Sequence, residues 1–218
     1  MAYRYELLVF DWDGTLMDSA GAIVACVQKA ACDLDLAPPS EAVARHVIGL
    51  GLGEALRYAL PELPEERHAE LADRYRHHYL ARDEELRLFA GARELLDELR
   101  ASGRRLAVAT GKSRHGLERA MAASGLGPLF DATRCADECF SKPHPQMLLE
   151  LMAECAVPAE LTLMIGDTTH DVLMASNAGV DALAVSYGAH EADALAAAAP
   201  RACVHSVAEL RTWLRHNG

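Results

Sequence analysis

Aromatic residues are scarce in this 218-residue sequence, at 6%, and no apolar run approaches the roughly 18 residues that a membrane-spanning helix needs. Basic residues are also few, since 21 lysines and arginines stand against 32 aspartates and glutamates, for a net charge of −11. Such a protein repels nucleic-acid phosphates and anionic lipid headgroups. The sequence also lacks a signal-peptide pattern near its start. We therefore expect a soluble, cytoplasmic protein, monomeric or homodimeric, that binds neither nucleic acid nor membranes.

No C-x-x-C motif occurs among the six cysteines. A long chain with a large core and no export signal needs no disulfide framework, so reduced thiols are expected. Cys135 and Cys139 lie near His144 and could nominally hold a metal, but a structural zinc site usually needs four ligands. We expect the cysteines to pack as small apolar side chains.

Short apolar runs alternate with helical patterns along most of the chain. The runs that we expect to be buried strands are Glu6–Phe10, Arg105–Ala109, Asp131–Cys135, Thr162–Ile165, Asp181–Val185 and Ala202–Val204. The helical patterns that alternate with them are Ala92–Ala101, Gly116–Ser124, Gln146–Cys155, Val172–Ala178, Ala192–Ala199 and Glu209–His216. Near-continuous apolar runs are typical of parallel strands that are covered on both faces. The pattern predicts an α/β fold with a Rossmann-like open parallel sheet.

The stretch from residue 16 to residue 87 breaks this alternation. It shows no strand signal and four helical patterns, Gly21–Asp35, Glu41–Val47, Gly53–Leu60 and Glu65–Ala81. A stretch of about 70 residues is too long for a simple crossover between strands. We therefore expect residues 16–87 to form an inserted, all-helical cap subdomain, with residues 1–15 and 88–218 forming the core. The chain would cross between the two near Leu16–Ala20 and Asp83–Gly91.

Carboxylates follow two of the predicted strands. Open parallel sheets bind ligands at the carboxyl ends of their strands, so these positions are candidates for a site. Asp11 and Asp13 follow the first apolar run, and Asp167 and Asp171 follow the run Thr162–Ile165. Two like charges 4 Å apart repel each other by about 4 kcal/mol at an effective dielectric constant of about 20. Four acids at one edge therefore require a cation, and oxygen ligands favour a hard one, usually Mg²⁺.

Other residues at the same edge suit a phosphoryl group. Gly14 and Gly111 allow close approach of the backbone, whose N–H groups can bind an anion. Thr110 supplies a hydroxyl donor. Lys142 lies in a loop with a serine directly before it and prolines after it, and its ammonium can neutralise both a phosphate and a neighbouring carboxylate. Each residue alone is weak evidence, and the combination predicts a phosphate site.

Four motifs in order resemble the haloacid dehalogenase-like (HAD) hydrolase superfamily. They are Asp11–Thr15 (Asp-Trp-Asp-Gly-Thr), Thr110–Gly111, Lys142–Pro143 and Gly166–Asp171 (Gly-Asp-Thr-Thr-His-Asp). The helical insert directly after the first motif looks like the branch of phosphoglycolate phosphatases and β-phosphoglucomutases. The resemblance covers the whole chain, and it implies a HAD-like core with a helical cap.

The resemblance also implies a role for each matched residue. Asp11 would be the nucleophile, forming an aspartyl-phosphate intermediate, and Asp13 the general acid and base. The four residues implied for Mg²⁺ are Asp11, Asp13 through its main-chain carbonyl, Asp167 and, in support, Asp171. Thr110 and Lys142 would hold the phosphoryl oxygens and assist catalysis. The wider phosphate site would comprise Trp12, Gly14, Thr15, Thr110, Gly111 and Lys142.

Selectivity in this branch comes from the cap. The glycine-rich loop Gly49–Gly53 is the candidate to close over the site, so Gly49 and Gly51 are expected to contact substrate. Arg45 and Arg57 flank this loop and could meet a second anionic group, although solvated positions on a helix face suit them equally well. Phosphoglycolate, a sugar phosphate and a nucleotide all remain possible substrates.

The preferred hypothesis is a Mg²⁺-dependent phosphatase that hydrolyses a small phosphorylated metabolite, such as a phosphoglycolate-like phosphomonoester. One alternative is a phosphomutase of the β-phosphoglucomutase type, which would return the phosphoryl group to a sugar. Another is a phosphate-sensing protein without turnover, which the complete set of acids and lysine disfavours. Dehalogenation is excluded because haloacid dehalogenases proper lack the second aspartate of the first motif, and Asp13 is present.

Overall fold

The computed structural model describes residues 4–82 and 85–217. The strands of this part of the chain are β1 (Leu7–Phe10), β2 (Met17–Asp18), β3 (Arg87–Leu88), β4 (Arg105–Thr110), β5 (Ala132–Cys135), β6 (Thr162–Gly166), β7 (Asp181–Val185) and β8 (Ala202–Val204). Six of them form one parallel sheet in the order β5-β4-β1-β6-β7-β8. The predicted open parallel sheet is confirmed.

The α-helices of the described residues lie on the faces of this sheet and in the stretch between β2 and β3. They are α1 (Ala20–Cys32), α2 (Glu41–His46), α3 (Leu52–Ala59), α4 (His68–Leu80), α5 (Ala92–Ala101), α6 (Arg114–Ser124), α7 (Gln146–Cys155), α8 (Thr169–Ala178), α9 (Ala192–Ala197) and α10 (Val207–Asn217). None of these helices is both long enough and apolar enough to cross a membrane.

The central strand β1 shows why the sheet is covered on both faces. Its four residues are all buried, and successive side chains point to opposite faces. Leu8 and Phe10 join an apolar cluster with residues of α5 and α10, whereas Leu7 and Val9 join a second cluster with residues of α7 and α8. With β1 in the middle of the sheet, its carboxyl end lies beside those of β4 and β6.

Helices α1–α4, which we call the cap, pack around a third apolar cluster, which Ala189 from the loop after β7 also joins. This cluster includes Val27, Leu56 and Leu71, each no more than 2% exposed. The expectation that residues 16–87 hold no strand was wrong, because β2 and β3 form a small antiparallel pair that joins Met17 to Leu88 and Asp18 to Arg87. Strands of two residues are too short to show a periodic pattern. Residues 83 and 84 of the second predicted crossing lie outside the described residues.

All six cysteines are free thiols, as expected. Cys26, Cys135 and Cys155 are buried, and burial raises the pKa of the Cys135 thiol to about 12. The Cys139 thiol lies 3.7 Å from a carboxylate oxygen of Glu150. Cys135 and Cys139 therefore behave as packed thiols in the described structure.

Candidate active site

Three carboxylates meet at the carboxyl ends of β1 and β6. Asp11 directly follows β1, Asp167 directly follows β6, and Asp171 lies in the first turn of α8. Each offers an oxygen that lies within 4.8 Å of the others, and none is more than 1% exposed. Thr110, the last residue of the neighbouring β4, is equally buried. The ends of neighbouring parallel strands therefore bring these residues together, as the sequence predicted.

The two oxygens of Asp11 have different surroundings. Oδ1 accepts a hydrogen bond of 2.6 Å from the Trp12 N–H and lies 3.0 Å from Nζ of Lys142. Oδ2 is buried and has no hydrogen-bond partner among the described residues. Burial raises the pKa of Asp11 to about 7, with Asp171 adding to the effect and Lys142 opposing it. An unpaired carboxylate oxygen in such a place is costly unless a cation binds it.

Asp167 is held by groups from two parts of the chain. Its Oδ1 accepts from the Thr15 hydroxyl at 2.7 Å, and its Oδ2 accepts from the Ala189 N–H at 2.7 Å. A Cβ at Gly14 would come within 2.1 Å of its Oδ2, and one at Gly188 within 2.3 Å, so both positions require glycine. Burial, reinforced by the Asp11 and Asp171 carboxylates, raises the pKa of Asp167 well above its usual range.

Asp171 and Lys142 form a buried ion pair beside Asp11 and Asp167. The Lys142 ammonium donates to Oδ1 of Asp171 at 2.7 Å, while the hydroxyl of Thr168 donates to Oδ2 at 2.7 Å. Thr168 and Asp171 also form the capping box that begins α8, which fixes the carboxylate. Burial alone would lower the pKa of Lys142, but the carboxylates of Asp11 and Asp171 outweigh it and raise that pKa above its ordinary value.

The donor set of this group fits a magnesium ion. It offers carboxylate oxygens only, and hard divalent cations prefer such oxygens. One of them, Oδ2 of Asp11, has no hydrogen-bond partner among the described residues. Burial is the main cause of the raised pKa values of Asp11 and Asp167, and the neighbouring carboxylates add to it. A divalent cation would offset the negative charge of these carboxylates.

The carboxylate of Asp13 lies apart from these acids, although the sequence places it in the same motif. Its two oxygens lie 3.0 and 2.9 Å from Nζ of Lys112, and Oδ1 also accepts from the Ser19 hydroxyl at 2.7 Å. Nζ of Lys112 in turn donates to the Tyr79 hydroxyl of the cap at 2.9 Å. The expectation of four converging side-chain acids is therefore corrected to three, because Lys112 and Ser19 hold Asp13 on the cap side.

Lys112 and Tyr79 are site residues that the sequence reading missed. Lys112 carried one signal, since it directly follows Thr110 and Gly111 in the second motif. Tyr79 carried none, because a tyrosine on an amphipathic helix is indistinguishable from a core residue.

The residues expected to bind phosphate divide into two groups. Thr110 and Gly111 line a cavity of about 660 Å³ between cap and core, beside Asp11 and Asp13. Trp12, Gly14 and Thr15 do not line this cavity, which corrects the prediction. The Gly14 N–H donates to the carbonyl of Met17 at 2.8 Å, and the Thr15 hydroxyl is taken by Asp167.

The same correction applies to the side chain of Trp12, which is fully buried in the core against Phe130. Its backbone N–H serves Asp11 rather than the cavity. These residues lie against the carboxylates and not against the cavity. Lys142 also contacts Asp11 and Asp171, and it does not line the cavity either.

The glycine loop of the cap lies directly on the core. The Gly51 N–H donates to the Ser141 hydroxyl at 2.9 Å, and a Cβ on Gly111 would come within 2.6 Å of the Gly49 carbonyl oxygen. Gly49 has φ +93°, a conformation that favours glycine, and an added Cβ would lie 3.8 Å from Oδ2 of Asp11. The loop therefore covers the acidic group, and both glycines line the cavity.

The two arginines of the cap differ in position. Arg45 does not line the cavity, which corrects its proposed place in the site, because its Nε donates to Glu41 one helical turn earlier at 2.9 Å. Arg57 lines the cavity, but it is paired with Glu65 and about half exposed.

Three histidines that the sequence reading did not single out link the cap to the core. Nε2 of His170 lies 2.7 Å and Nε2 of His190 lies 3.1 Å from the carbonyl oxygen of His46, at the end of α2. The rings of His46 and His190 are stacked with centroids 5.4 Å apart. Burial lowers the pKa of His190 to about 4, and the charge on His170 adds to this effect.

Comparisons with known proteins agree with this geometry. The family model described as "Haloacid dehalogenase-like hydrolase" matches residues 8–185. The chain is 37% identical over 210 residues to "Probable phosphatase IndB" of Dickeya dadantii, a match that covers 94% of this chain and 91% of that protein. It is 32% identical over 188 residues to a phosphoglycolate phosphatase of Agrobacterium fabrum, covering 84% and 81%. The crystal structure of a predicted phosphoglycolate phosphatase from Haemophilus somnus gives a TM-score of 0.86 at 25% identity, covering 97% and 99%.

Proposed function

Since the chain belongs to the haloacid dehalogenase-like hydrolase family and is a phosphatase of that family, we propose that it hydrolyses a small phosphomonoester through a phosphate carried on Asp11, with Mg²⁺ as cofactor. The observation that carries this proposal is the buried Asp11 carboxylate, which has one unpaired oxygen and lies between Lys142 and two further acids. A carboxylate in this position can attack phosphorus once its charge is balanced.

The metal would be held by the carboxylates of Asp11 and Asp167 and the main-chain carbonyl of Asp13, with Asp171 in support. Its chemical contribution is positive charge that offsets the repulsion between Asp11 and a phosphate dianion. The Lys142 ammonium, 3.0 Å from Asp11, adds a second positive charge that keeps the nucleophile ionised. Thr110, buried at the end of β4, would donate its hydroxyl to a phosphoryl oxygen.

The reaction divides into two displacements at phosphorus. In the first, a carboxylate oxygen of Asp11 bonds to phosphorus as the ester P–O bond breaks, and Asp13 gives its proton to the leaving oxygen. In the second, Asp13 takes a proton from water as that water attacks the same phosphorus, releasing phosphate and restoring the Asp11 carboxylate. Asp13 can serve both steps because its carboxylate lines the same cavity as that of Asp11.

Hydrolysis is favoured over the two alternatives. The relatives described above are named phosphatases, which supports transfer of the phosphoryl group to water rather than back to a sugar. The acids, Lys142 and Thr110 are all in place, which argues against a phosphate-sensing protein without turnover.

A phosphate-release assay tests the proposal. With 4-nitrophenyl phosphate and Mg²⁺, we expect turnover that EDTA abolishes, that added Mg²⁺ restores and that Ca²⁺ inhibits, because the longer bonds of Ca²⁺ misplace the nucleophile. Asp11→Asn should remove activity, whereas Asp193→Asn, an exposed acid of α9, should not. Full activity in excess chelator would overturn the metal assignment, and turnover by Asp11→Asn would overturn the nucleophile.

A further inference from the structure

The cavity beside Asp11 and Asp13 is large for a small acid ester. It holds about 660 Å³, and pockets of roughly 300–1,000 Å³ take ligands of drug size. A two-carbon phosphoester would leave most of this volume to water. The size of the cavity therefore indicates a substrate with a bulky group beyond the phosphate.

The wall that the cap contributes is mostly apolar. Six of its side chains there are Ile23, Val27, Leu52, Leu56, Tyr75 and Tyr79. The rings of Tyr75 and Tyr79 are stacked, with centroids 5.8 Å apart and an angle of 26° between their planes. Burial raises the pKa of Tyr75 well above its usual range, so its phenol stays neutral. The Lys112 ammonium lies 4.7 Å from the ring centroid of Tyr79, whereas the ring of Tyr75 offers a flat, uncharged surface against which another ring can stack.

Apolar side chains continue to the mouth of the cavity. Leu80 at the end of α4 is 50% exposed, and Phe140 on the core side is 68% exposed, and both line the cavity. Large exposed apolar groups at the rim of a pocket are typical of a surface that binds an apolar partner.

The charges around the cavity do not favour a second anionic group on the substrate. Arg57 and Arg76 are paired with Glu65 and Asp73, with closest separations of 2.5 and 2.7 Å. Lys112 is paired with Asp13 in the same way.

Two further acids, Glu54 and Asp137, line the cavity together with the bases Arg119 and His115 of α6. Acids and bases therefore balance around it. A carboxylate on the substrate would have to compete with carboxylates of the protein.

We propose that the substrate is a phosphomonoester whose alcohol carries an uncharged aromatic ring, and that this ring lies against Tyr75 and the apolar side chains of α1 and α3. The proposal rests on the phosphatase function argued above. It assigns Tyr75 as a specificity-determining residue and makes phosphoglycolate a poor substrate.

Three matched esters test this proposal, each with a primary carbon on the ester oxygen, so that the leaving alcohols differ only at their far ends. They are propyl phosphate, 3-phenylpropyl phosphate and 3-carboxypropyl phosphate, each assayed for kcat/KM with Mg²⁺. Burial of a phenyl ring should raise kcat/KM about 10- to 100-fold for the phenyl ester over the propyl ester. The carboxyl ester should be no better than the propyl ester.

Variants of two tyrosines locate the effect. Tyr75→Ala should lower the ratio of kcat/KM for the phenyl ester to that for the propyl ester about tenfold, and Tyr75→Phe should retain the wild-type ratio. Tyr58→Ala serves as the control, because Tyr58 is 56% exposed and does not line the cavity. The turnover of propyl phosphate by each variant also shows that it has folded.

The outcomes separate this inference from the proposed function. If no ester is hydrolysed, the phosphatase proposal fails. If all three are hydrolysed but the carboxyl ester equals or exceeds the phenyl ester, the aromatic specificity fails and the phosphatase stands. A phenyl preference that survives in Tyr75→Ala would overturn the assignment of Tyr75.

Discussion

The Lys112 ammonium lies 2.9 Å from Oδ2 and 3.0 Å from Oδ1 of Asp13, so a cation of the second motif is paired with an acid of the first. The pair is about 10% exposed on both sides and joins the second motif of the core to the first. Through its 2.9 Å hydrogen bond to the Tyr79 hydroxyl, Lys112 also connects Asp13 to the cap. We therefore expect the position of the cap to influence the orientation of the Asp13 carboxylate.

Replacement of Lys112 tests this coupling. A hydrogen bond to a charged group contributes about 1.5–3 kcal/mol, so Lys112→Met should lower kcat about 10- to 100-fold, with a smaller change in KM. Steady-state kinetics on one small phosphomonoester measure both constants. Lys29→Met, which removes an exposed lysine of α1, should leave both unchanged. A Lys112→Met enzyme with wild-type kcat would show that Asp13 needs no cation.

Asp13→Asn separates the two steps at phosphorus. The amide cannot shuttle a proton, so turnover should fall by about 10²- to 10⁴-fold, the usual contribution of general acid–base catalysis. With 4-nitrophenyl phosphate the first step needs little protonation of the leaving group, so phosphate should accumulate on Asp11. Intact-protein mass spectrometry after rapid quenching should then detect one added phosphoryl group, and its formation should be accompanied by a burst of 4-nitrophenol, the leaving group of the first step. Phosphate on any residue other than Asp11, or turnover within about tenfold of wild type, would contradict the assigned roles.

A methyl group at Gly111 should hold the cap loop off the core. The added Cβ would come within 2.5 Å of the Leu50 carbonyl oxygen and 2.6 Å of the Gly49 carbonyl oxygen, and backbone atoms cannot rotate away. Gly111→Ala should therefore lower kcat/KM at least tenfold and speed amide exchange in residues 47–53, measured by hydrogen–deuterium exchange. Gly21→Ala provides the control, because nothing lies within 4 Å of its Cβ position. Unchanged exchange in Gly111→Ala would mean that the loop does not rest on Gly111.

His190 should make folding stability sensitive to mildly acid pH. Its Nδ1 accepts from the Thr169 N–H at 3.0 Å and its Nε2 lies 3.1 Å from the His46 carbonyl oxygen, an arrangement that needs the neutral ring. Burial lowers the pKa of His190 to about 4, against about 6.5 in the unfolded chain. Between these values the unfolded chain binds a proton that the folded chain does not, so stability is full above pH 6.5 and falls as the pH drops towards 4.

Urea unfolding at pH 7 and pH 5 in EDTA measures this contribution. The loss attributable to His190 should be about 2 kcal/mol at pH 5, and His190→Gln should lose correspondingly less stability over the same interval. His216→Gln, an exposed histidine of α10, should retain the wild-type dependence. If wild type and His190→Gln lose the same stability, the His190 ring is not held neutral in the fold.

The sequence by itself determined the parallel sheet and the position of the acidic group. The apolar runs are short, nearly continuous and alternate with helical patterns, which is typical of parallel strands buried on both faces, and parallel strands bring the residues after them to one edge. Asp11, Thr110 and Asp167 could therefore be placed together without coordinates. Strands β2 and β3 could not be predicted in this way, because two residues carry no period.

Only the tertiary structure decided what surrounds this group. Lys112 lies 99 residues from Asp13 and 33 residues from Tyr79, and no periodicity or spacing relates such distant positions. The histidines at positions 46, 170 and 190 meet for the same reason, since packing of the cap against the core joins them. The cavity is likewise a property of that packing: helix periodicity shows which residues of α1, α3 and α4 are apolar, whereas the angle at which these helices meet the core decides which of them face substrate.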